Sequence, residues 1–285
     1  MGPTASGKTG LAEAVADELG AVLVNADAFQ IYRGLDIGTA KPAVKERYRL
    51  LDLKEPSESF GLGEWLKLAQ AELEFAFEKG RHVIFVGGTG LYVRALFEEY
   101  AAIGEAPDPE VRRELSETPI ENLREVLRAD HPEIAARVDM ANPLRVRRAL
   151  ERVRGGTSDP VVLPPFIKMK LTPSVSEAEL NRRIEHRTLQ MVQNGWVQEI
   201  QGLQKQGFSR EDPGFRAIGY EALWDHLDRK ISLDEAITTT IVESRRYAKR
   251  QRTWLRREPN LVELSGANEN EAFRKAMERI GSFLV

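Results

Sequence analysis

Gly2-Pro3-Thr4-Ala5-Ser6-Gly7-Lys8-Thr9 fits the pattern G-x-x-x-x-G-K-[ST] at every fixed position. The glycines let backbone N–H groups converge on phosphate oxygens, and the start of the next helix adds its positive end. Lys8 brings a point charge to the phosphates, and the Thr9 hydroxyl suits Mg²⁺. Helical spacing over Leu11–Leu19 follows directly, which is the context such a loop needs. The loop is expected to follow a buried central strand, yet no strand pattern precedes Gly2. The expectation is a strand missing beside Ala21–Val24, through a start placed too late or a trimmed chain. A native strand in that slot would refute it.

Outward from the loop, Ala21–Val24 and Val83–Val86 are short apolar runs rich in branched residues, read as buried strands. Phe60–Glu78 has the periodicity of an amphipathic helix, stopped at Gly80. Leu91–Glu98 returns to helix. This alternation implies a parallel α/β sheet. Pro107–Val153 is charged and helix-forming, with breaks at Pro119, Pro132 and Pro143, and reads as about three short helices. Gly155–Pro165 reads as a linker, Phe166–Leu171 as a returning strand, and Ser174 onward as mostly helix. The expected architecture is a P-loop NTPase-like α/β core over 1–103 and 167–285, with a small all-helical domain inserted at 104–166.

The 285 residues are 42% apolar and 30% charged, ordinary for a globular chain and wrong for a wholly disordered one. The chain has no cysteine, which excludes disulfides, a thiol nucleophile and cysteine-built metal sites. No apolar run is long enough for a bilayer, and no leader pattern opens the chain, so a cytoplasmic monomer without a membrane partner is expected. Net charge is −3, but Glu243–Glu258 holds seven Arg or Lys against two Glu, a local +5. Arg245, Lys249, Arg252 and Arg256 fall at i, i+4, i+7 and i+11, predicting one cationic helix face for an RNA backbone. The plainer reading of that face is a solvated helix with salt-bridge partners. Tyr247 can stack or pack; Trp254 and Leu255 read as core. A second group, Arg145, Arg147, Arg148, Arg152 and Arg154, closes the helical unit.

Many phosphate-loop enzymes end a later strand in an Asp that holds Mg²⁺. Here Val83–Val86 runs into Gly87-Gly88-Thr89-Gly90, and the available carboxylate is Asp27, after the other strand. Asp27 reads as a general base, or equally as a turn residue.

Seven segments, in this order, resemble the bacterial-type tRNA dimethylallyltransferases (tRNA isopentenyltransferases). They are Gly2–Thr9, Asp27–Pro42 (DAFQIYRGLDIGTAKP), Gly87–Leu96 (GGTGLYVRAL), Asn142–Glu151 (NPLRVRRALE), Arg183–Trp196 (RIEHRTLQMVQNGW), Ala217–Tyr220 (AIGY) and Lys249–Arg256 (KRQRTWLR). The resemblance implies transfer of a dimethylallyl group from dimethylallyl pyrophosphate to N6 of adenine 37, in tRNAs that read codons starting with U. It implies Asp27 as base, with Arg187 and Thr89 beside it at the reacting centre. Gly2, Thr4, Ala5, Ser6, Gly7, Lys8 and Thr9 would bind the pyrophosphate, and Thr9 would hold Mg²⁺. The anticodon stem-loop would meet Asp27, Ala28, Phe29, Gln30, Thr89, Arg112, Leu144, Arg145, Arg147, Arg148, Arg216, Gly219 and Tyr220, with Arg245, Lys249 and Arg252 on the basic helix. Ala28 stands where the family usually has Ser, so one hydroxyl beside the base is lost. Three rivals stay open from the residues: prenyl transfer to a free adenine nucleotide, a small-molecule kinase, and a non-catalytic RNA-binding protein.

Overall fold

The structure is a computed structural model that describes residues 1–97, 109–155, 161–266 and 268–284. Helix α1 (Lys8–Leu19) leads into strand β1 (Val22–Asn25), a two-residue strand β2 (Tyr48–Arg49) and helix α2 (Leu62–Glu78). Strand β3 (Val83–Val86) and helix α3 (Gly90–Phe97) follow. β1 lies between β2 and β3 and is parallel to both, with Leu23 opposite Tyr48 and Ile84. All four β1 residues are buried; Val22–Val24 fall in the apolar run that predicts a strand, and Asn25 lies one residue beyond it. At its end, Gly87 passes so close to Ala26 that a Cβ would lie 2.0 Å from the Ala26 carbonyl oxygen.

Four helices follow: α4 (Pro109–Glu117), α5 (Ile120–Asp130), α6 (Pro132–Ala135) and α7 (Pro143–Arg154). The last three start at, or one residue after, the prolines that the sequence marks as breaks, Pro119, Pro132 and Pro143, because proline fits a first turn but not a helix interior. Their apolar faces close on a core of their own around Leu115, Leu123, Leu127, Val146 and Leu150. The junction at 103/104 lies outside the described residues. On the other side, Val161 and Leu163 already pack on the core around Trp65 and Tyr92, so the chain has rejoined the α/β part before 166.

Strand β4 (Lys170–Pro173) pairs in parallel with β5 (Leu261–Leu264) as a separate two-stranded sheet. Between them run α8 (Glu177–Gln193), α9 (Trp196–Lys205), α10 (Tyr220–Leu227) and α11 (Leu233–Leu255), and α12 (Glu269–Leu284) closes the chain. α11 starts with a full capping box, Ser232 with Glu235.

Three expectations need correction. The returning strand is Lys170–Pro173 rather than Phe166–Leu171, because β5, its hydrogen-bonding partner, runs only beside the later residues. β5 itself escaped the reading of the end of the chain as mostly helix. β1 is paired on both sides, so the slot beside it is filled by native strands and no gap lies there. Among the described residues β3 is paired on one side only. For that reason β3 is not fully buried: Val83, Ile84 and Phe85 keep part of their surface.

One carboxylate ties helix α3 to the two-stranded sheet. Glu258, wholly buried, accepts from Arg94 of α3 at 2.6 Å and from Lys170 of β4 at 2.9 Å. Glu258→Ala leaves Lys170 a buried cation without its carboxylate, which costs about 3 kcal/mol. A urea titration checks this: the unfolding midpoint falls, and Glu258→Asp recovers part of the loss.

Candidate active site

The phosphate loop folds back on itself. Gly7, at φ +81°, caps the start of α1 in the left-handed region that favours glycine, and Ser6 N–H donates to Pro3 O at 3.2 Å. Lys8 lies half-buried, its ammonium 3.4 Å from Pro3 O. Burial and the nearby Arg187 pull its pKa down to about 8, while Asp27 pushes the other way. Arg187 projects from α8 into the loop and donates to the Thr4 hydroxyl. Burial lowers its pKa too, and Asp27 again opposes. Arg187 is therefore no surface helix charge.

Asp27 stands just past the carboxyl end of β1, where open α/β sheets bind ligands. One of its oxygens does serve a turn: Oδ1 accepts from Phe29 N–H at 3.0 Å. The other has no hydrogen-bond donor among the described residues. Asn25 fixes the turn from below, taking Asp27 N–H at 2.9 Å and donating to the Asp27 and Leu50 carbonyls. Thr89 lies alongside, its hydroxyl accepting from Ala28 N–H at 3.1 Å. Asp27 also raises the pKa of Tyr92 and of Tyr247, in both after burial, so both phenols stand near it and stay protonated. The loop, base candidate and arginine thus meet in one corner.

Two residues of this corner were given no role at the site by the sequence reading, although both lie in segments it quotes. Gln251, buried on α11, accepts from Thr4 N–H at 2.8 Å and donates to Gly88 O at 2.9 Å. It joins the phosphate loop to the loop after β3. Arg183 lies over Gly7, within 3.8 Å of where a Cβ would be, and pairs with Glu179 at 2.6 Å. Its i, i+4 spacing from Arg187 was the available signal. Gln251 lay within a cationic stretch whose charges masked it.

The basic helix presents a different face from the one its spacing predicts. Arg245 pairs with Glu185 at 2.6 Å and Arg252 with Glu177 at 2.7 Å, both on α8. Lys249 is exposed, and the open groove, about 420 Å³, is lined by Arg246, Lys249, Arg250, Thr253, Trp254 and Arg257. The stripe at 245 and 252 turns inward because Ala248, Gln251 and Leu255 anchor that side. Trp254 covers Gly90 with one part of its ring and is half-buried rather than core.

The other RNA candidates divide. Leu144 is 63% exposed, beside exposed Arg145 and Arg148, and Arg216 is exposed as well. Arg147 donates to Leu115 O at 3.0 Å and so secures the end of α4. Arg112 and Arg148 both approach Glu151. Phe29 packs on the α9–α10 core, and Gln30 donates to Thr39 O and Ala40 O. Gly219 and Tyr220 offer no surface. A Cβ on Gly219 would lie 2.2 Å from the Trp196 ring, and the Tyr220 hydroxyl donates to Glu199 at 2.7 Å within the core. The same Glu199 takes the N–H groups of Asp36 and Ile37 at 2.7 and 2.6 Å, so these residues shape the 35–42 loop from below.

Among the described residues no group of three or more His, Asp or Glu could hold a metal unaided. Half-buried Thr9 on the first turn of α1 fits Mg²⁺ only jointly with phosphate oxygens and water, the usual pattern for this ion. No described helix is long and apolar enough to cross a membrane.

The sequence model of the family described as IPP transferase matches residues 30–258. The chain belongs to this family. It is 39% identical over 295 residues to a tRNA dimethylallyltransferase of Anaeromyxobacter dehalogenans, covering 98% of this chain and 97% of that one. It is 38% identical to one of Geobacillus thermodenitrificans, covering 100% and 95%. Among solved structures, the tRNA isopentenylpyrophosphate transferase of Bacillus halodurans is similar at a TM-score of 0.74 and 34% identity, over 99% of this chain and 94% of that one. A eukaryotic dimethylallyltransferase acting on tRNA shares the fold, at a TM-score of 0.80 and 21% identity over 98% and 76%. The P-loop-like α/β class and a prenyltransferase family thus agree with the fold described above.

The lowered pKa of Lys8 has a measurable consequence. With its pKa pulled down to about 8, part of this group is neutral in the free protein at pH 8. A bound diphosphate raises its pKa again, so binding an alkyl diphosphate at pH 8 takes up a fraction of a proton, and less as the pH is lowered. Calorimetry in buffers of different ionisation heat reads this uptake directly, and Lys8→Met removes it.

Proposed function

We propose that the chain transfers a dimethylallyl group from dimethylallyl pyrophosphate to N6 of adenine 37 in tRNAs reading codons that start with U. The observation that carries this reading is the meeting of Lys8, Thr4 and Arg187 with Asp27, directly under the helix that bears the cationic groove. Such a corner suits a diphosphate on one side and a nucleobase on the other.

The adenine has to leave the loop stack to reach the site. Its N6 attacks the allylic carbon, forming a C–N bond as the C–O bond to diphosphate breaks. The free oxygen of Asp27 takes the N6 proton. Lys8, Arg187 and the loop N–H groups receive the charge growing on the leaving oxygen. Mg²⁺, held by Thr9 with diphosphate oxygens, would add further positive charge there. The phenols of Tyr92 and Tyr247, near enough to feel the Asp27 charge, stay protonated.

On the RNA side the proposal gives the main phosphate contacts to Arg246, Lys249, Arg250 and Arg257, with Leu144, Arg145, Arg148 and Arg216 as a second surface. Arg245 and Arg252 act through α8 instead. A free nucleotide would need neither surface, and a kinase would want an acid after β3.

Two measurements test the reading. With unmodified tRNA carrying A36-A37-A38, dimethylallyl pyrophosphate and Mg²⁺, mass spectrometry of the digested RNA shows N6-dimethylallyladenosine. Asp27→Asn lowers turnover by about 10²-fold or more while tRNA affinity stays within about twofold. Separately, Lys249→Glu with Arg250→Glu weakens tRNA binding and reduces its salt slope by about 2, whereas Arg252→Ala changes the slope little.

A further inference from the structure

Helix α11 roofs the corner, and its sides have different neighbours. Ala248 shares a packed cluster with Ile184 of α8 and Ala5 of the phosphate loop, while Gln251 bonds to Thr4 and Gly88. On the opposite side Arg246, Lys249, Arg250 and Thr253 line the open groove. At about 3.6 residues per turn, Tyr247 falls on the border between these two sides, one turn before Gln251. The other border carries Arg245 and Arg252, which pair with α8. Tyr247 is half-buried, and the Gln251 side chain hydrogen-bonds to it. Burial first and the Asp27 charge second raise its pKa, so its ring stands beside the base candidate.

Other aromatic side chains around Asp27 are already engaged. Tyr92 stacks on Trp65, with ring centroids 4.4 Å apart and planes 16° apart, and is 4% exposed. Phe29 packs on the core around Trp196 and Tyr220. Trp254, two turns further along α11, lies against Gly90. Tyr247 differs in what covers it. Arg250, exposed and almost one turn on, holds its guanidinium carbon 5.7 Å from the Tyr247 ring centroid. An exposed cation–π contact is weak, and a phosphate oxygen holds a guanidinium more strongly. Arg250 is also one of the groove cations. A backbone phosphate docking in the groove thus draws Arg250 off the ring and leaves a flat surface open beside Asp27.

We propose that Tyr247 is the stacking wall for the adenine that enters the corner, and that Arg250 covers its ring until RNA docks. This rests on the tRNA reading above and names the residues that admit the base. A flipped base loses its neighbours in the loop stack and needs a flat surface in their place. Tyr247 supplies that surface beside the residue that takes the N6 proton. Arg250 makes access conditional, since the ring opens when a phosphate strand claims the guanidinium. A nucleobase without such a strand meets a covered ring, so the pair favours RNA over free nucleosides.

The probe is an anticodon stem-loop RNA with 2-aminopurine at position 37. This base fluoresces when unstacked and lacks the N6 amine, so no transfer takes place. Bound to the unchanged protein the probe is dim, because the base leaves the loop stack for the Tyr247 ring. Tyr247→Phe keeps the bound probe dim and its affinity within about twofold. Tyr247→Leu makes the bound probe severalfold brighter and weakens binding about tenfold, with an unchanged salt slope. Arg250→Leu lowers the salt slope by about 1 and leaves the bound probe dim. The free riboside of 2-aminopurine binds Arg250→Leu more tightly than the unchanged protein, by about two- to fivefold. Equal brightness of the bound Leu and Phe variants of Tyr247 overturns the stacking wall. A bright complex with Arg250→Leu gives the stacking to the guanidinium and overturns it as well. Equal or weaker riboside binding to Arg250→Leu overturns the covering role. If the stem-loop binds none of these proteins, the RNA reading falls too, whereas binding without an effect of Tyr247 removes this inference alone.

Discussion

Two desolvated cations, Lys8 and Arg187, face one carboxylate in the same half-buried corner; burial lowers the proton affinity of both, and Arg187 lowers that of Lys8 further. Such a cluster is poorly balanced alone, since one carboxylate offsets only part of two buried positive charges. It becomes favourable when a di- or trianion arrives. The corner has to be held against this imbalance, and the surrounding structure does the holding. Asn25 fixes the Asp27 turn, Thr4 anchors Arg187, and the packed face of α8 keeps the guanidinium from swinging to solvent. The deficit of negative charge specifies a polyanion more sharply than any single contact.

The sequence made some of this legible and hid the rest for definite reasons. The phosphate loop, β1, β3 and the proline-bounded helices were legible because each rests on local chemistry: glycine torsions, an apolar run of strand length, a missing N–H. Asp27 and Arg187 were legible through the family resemblance, while the bare residues left Asp27 open between base and turn residue. In the structure its two oxygens divide: one serves the turn and the other is free. β5 was missed because Leu261–Leu264 is short and its partner lies 91 residues earlier by the paired register of Lys170 with Leu261. The basic face was misplaced because spacing says which residues share a side of a helix, not which side another helix covers. Arg245 and Arg252 pair with acids on α8, and that partner is a tertiary fact.

Gly219 and Tyr220 carry the same lesson inside the core. In a list of family positions they look like RNA contacts, whereas here they pack Trp196 and hold Glu199, which in turn shapes the 35–42 loop. Lys41 extends that scaffold, its buried ammonium reaching Asp36 at 2.8 Å. A residue can be indispensable to a binding surface without any part of it being on the surface.

The carboxamide of Gln251 bonds to both loops of the corner and lies on the same helix as the cationic groove. Its helical neighbours Lys249 and Arg250 face solvent, where RNA would dock, while Gln251 faces Thr4 and Gly88. Under the proposed reaction, any shift of α11 that one substrate stabilises would be felt at the site of the other. Thermodynamic linkage makes such a connection mutual: by whatever factor an ordered phosphate loop tightens the grip on RNA, bound RNA tightens the hold on the diphosphate by the same factor. A single neutral amide, contributing no charge to either ligand, can thus make the enzyme read its two substrates as a pair.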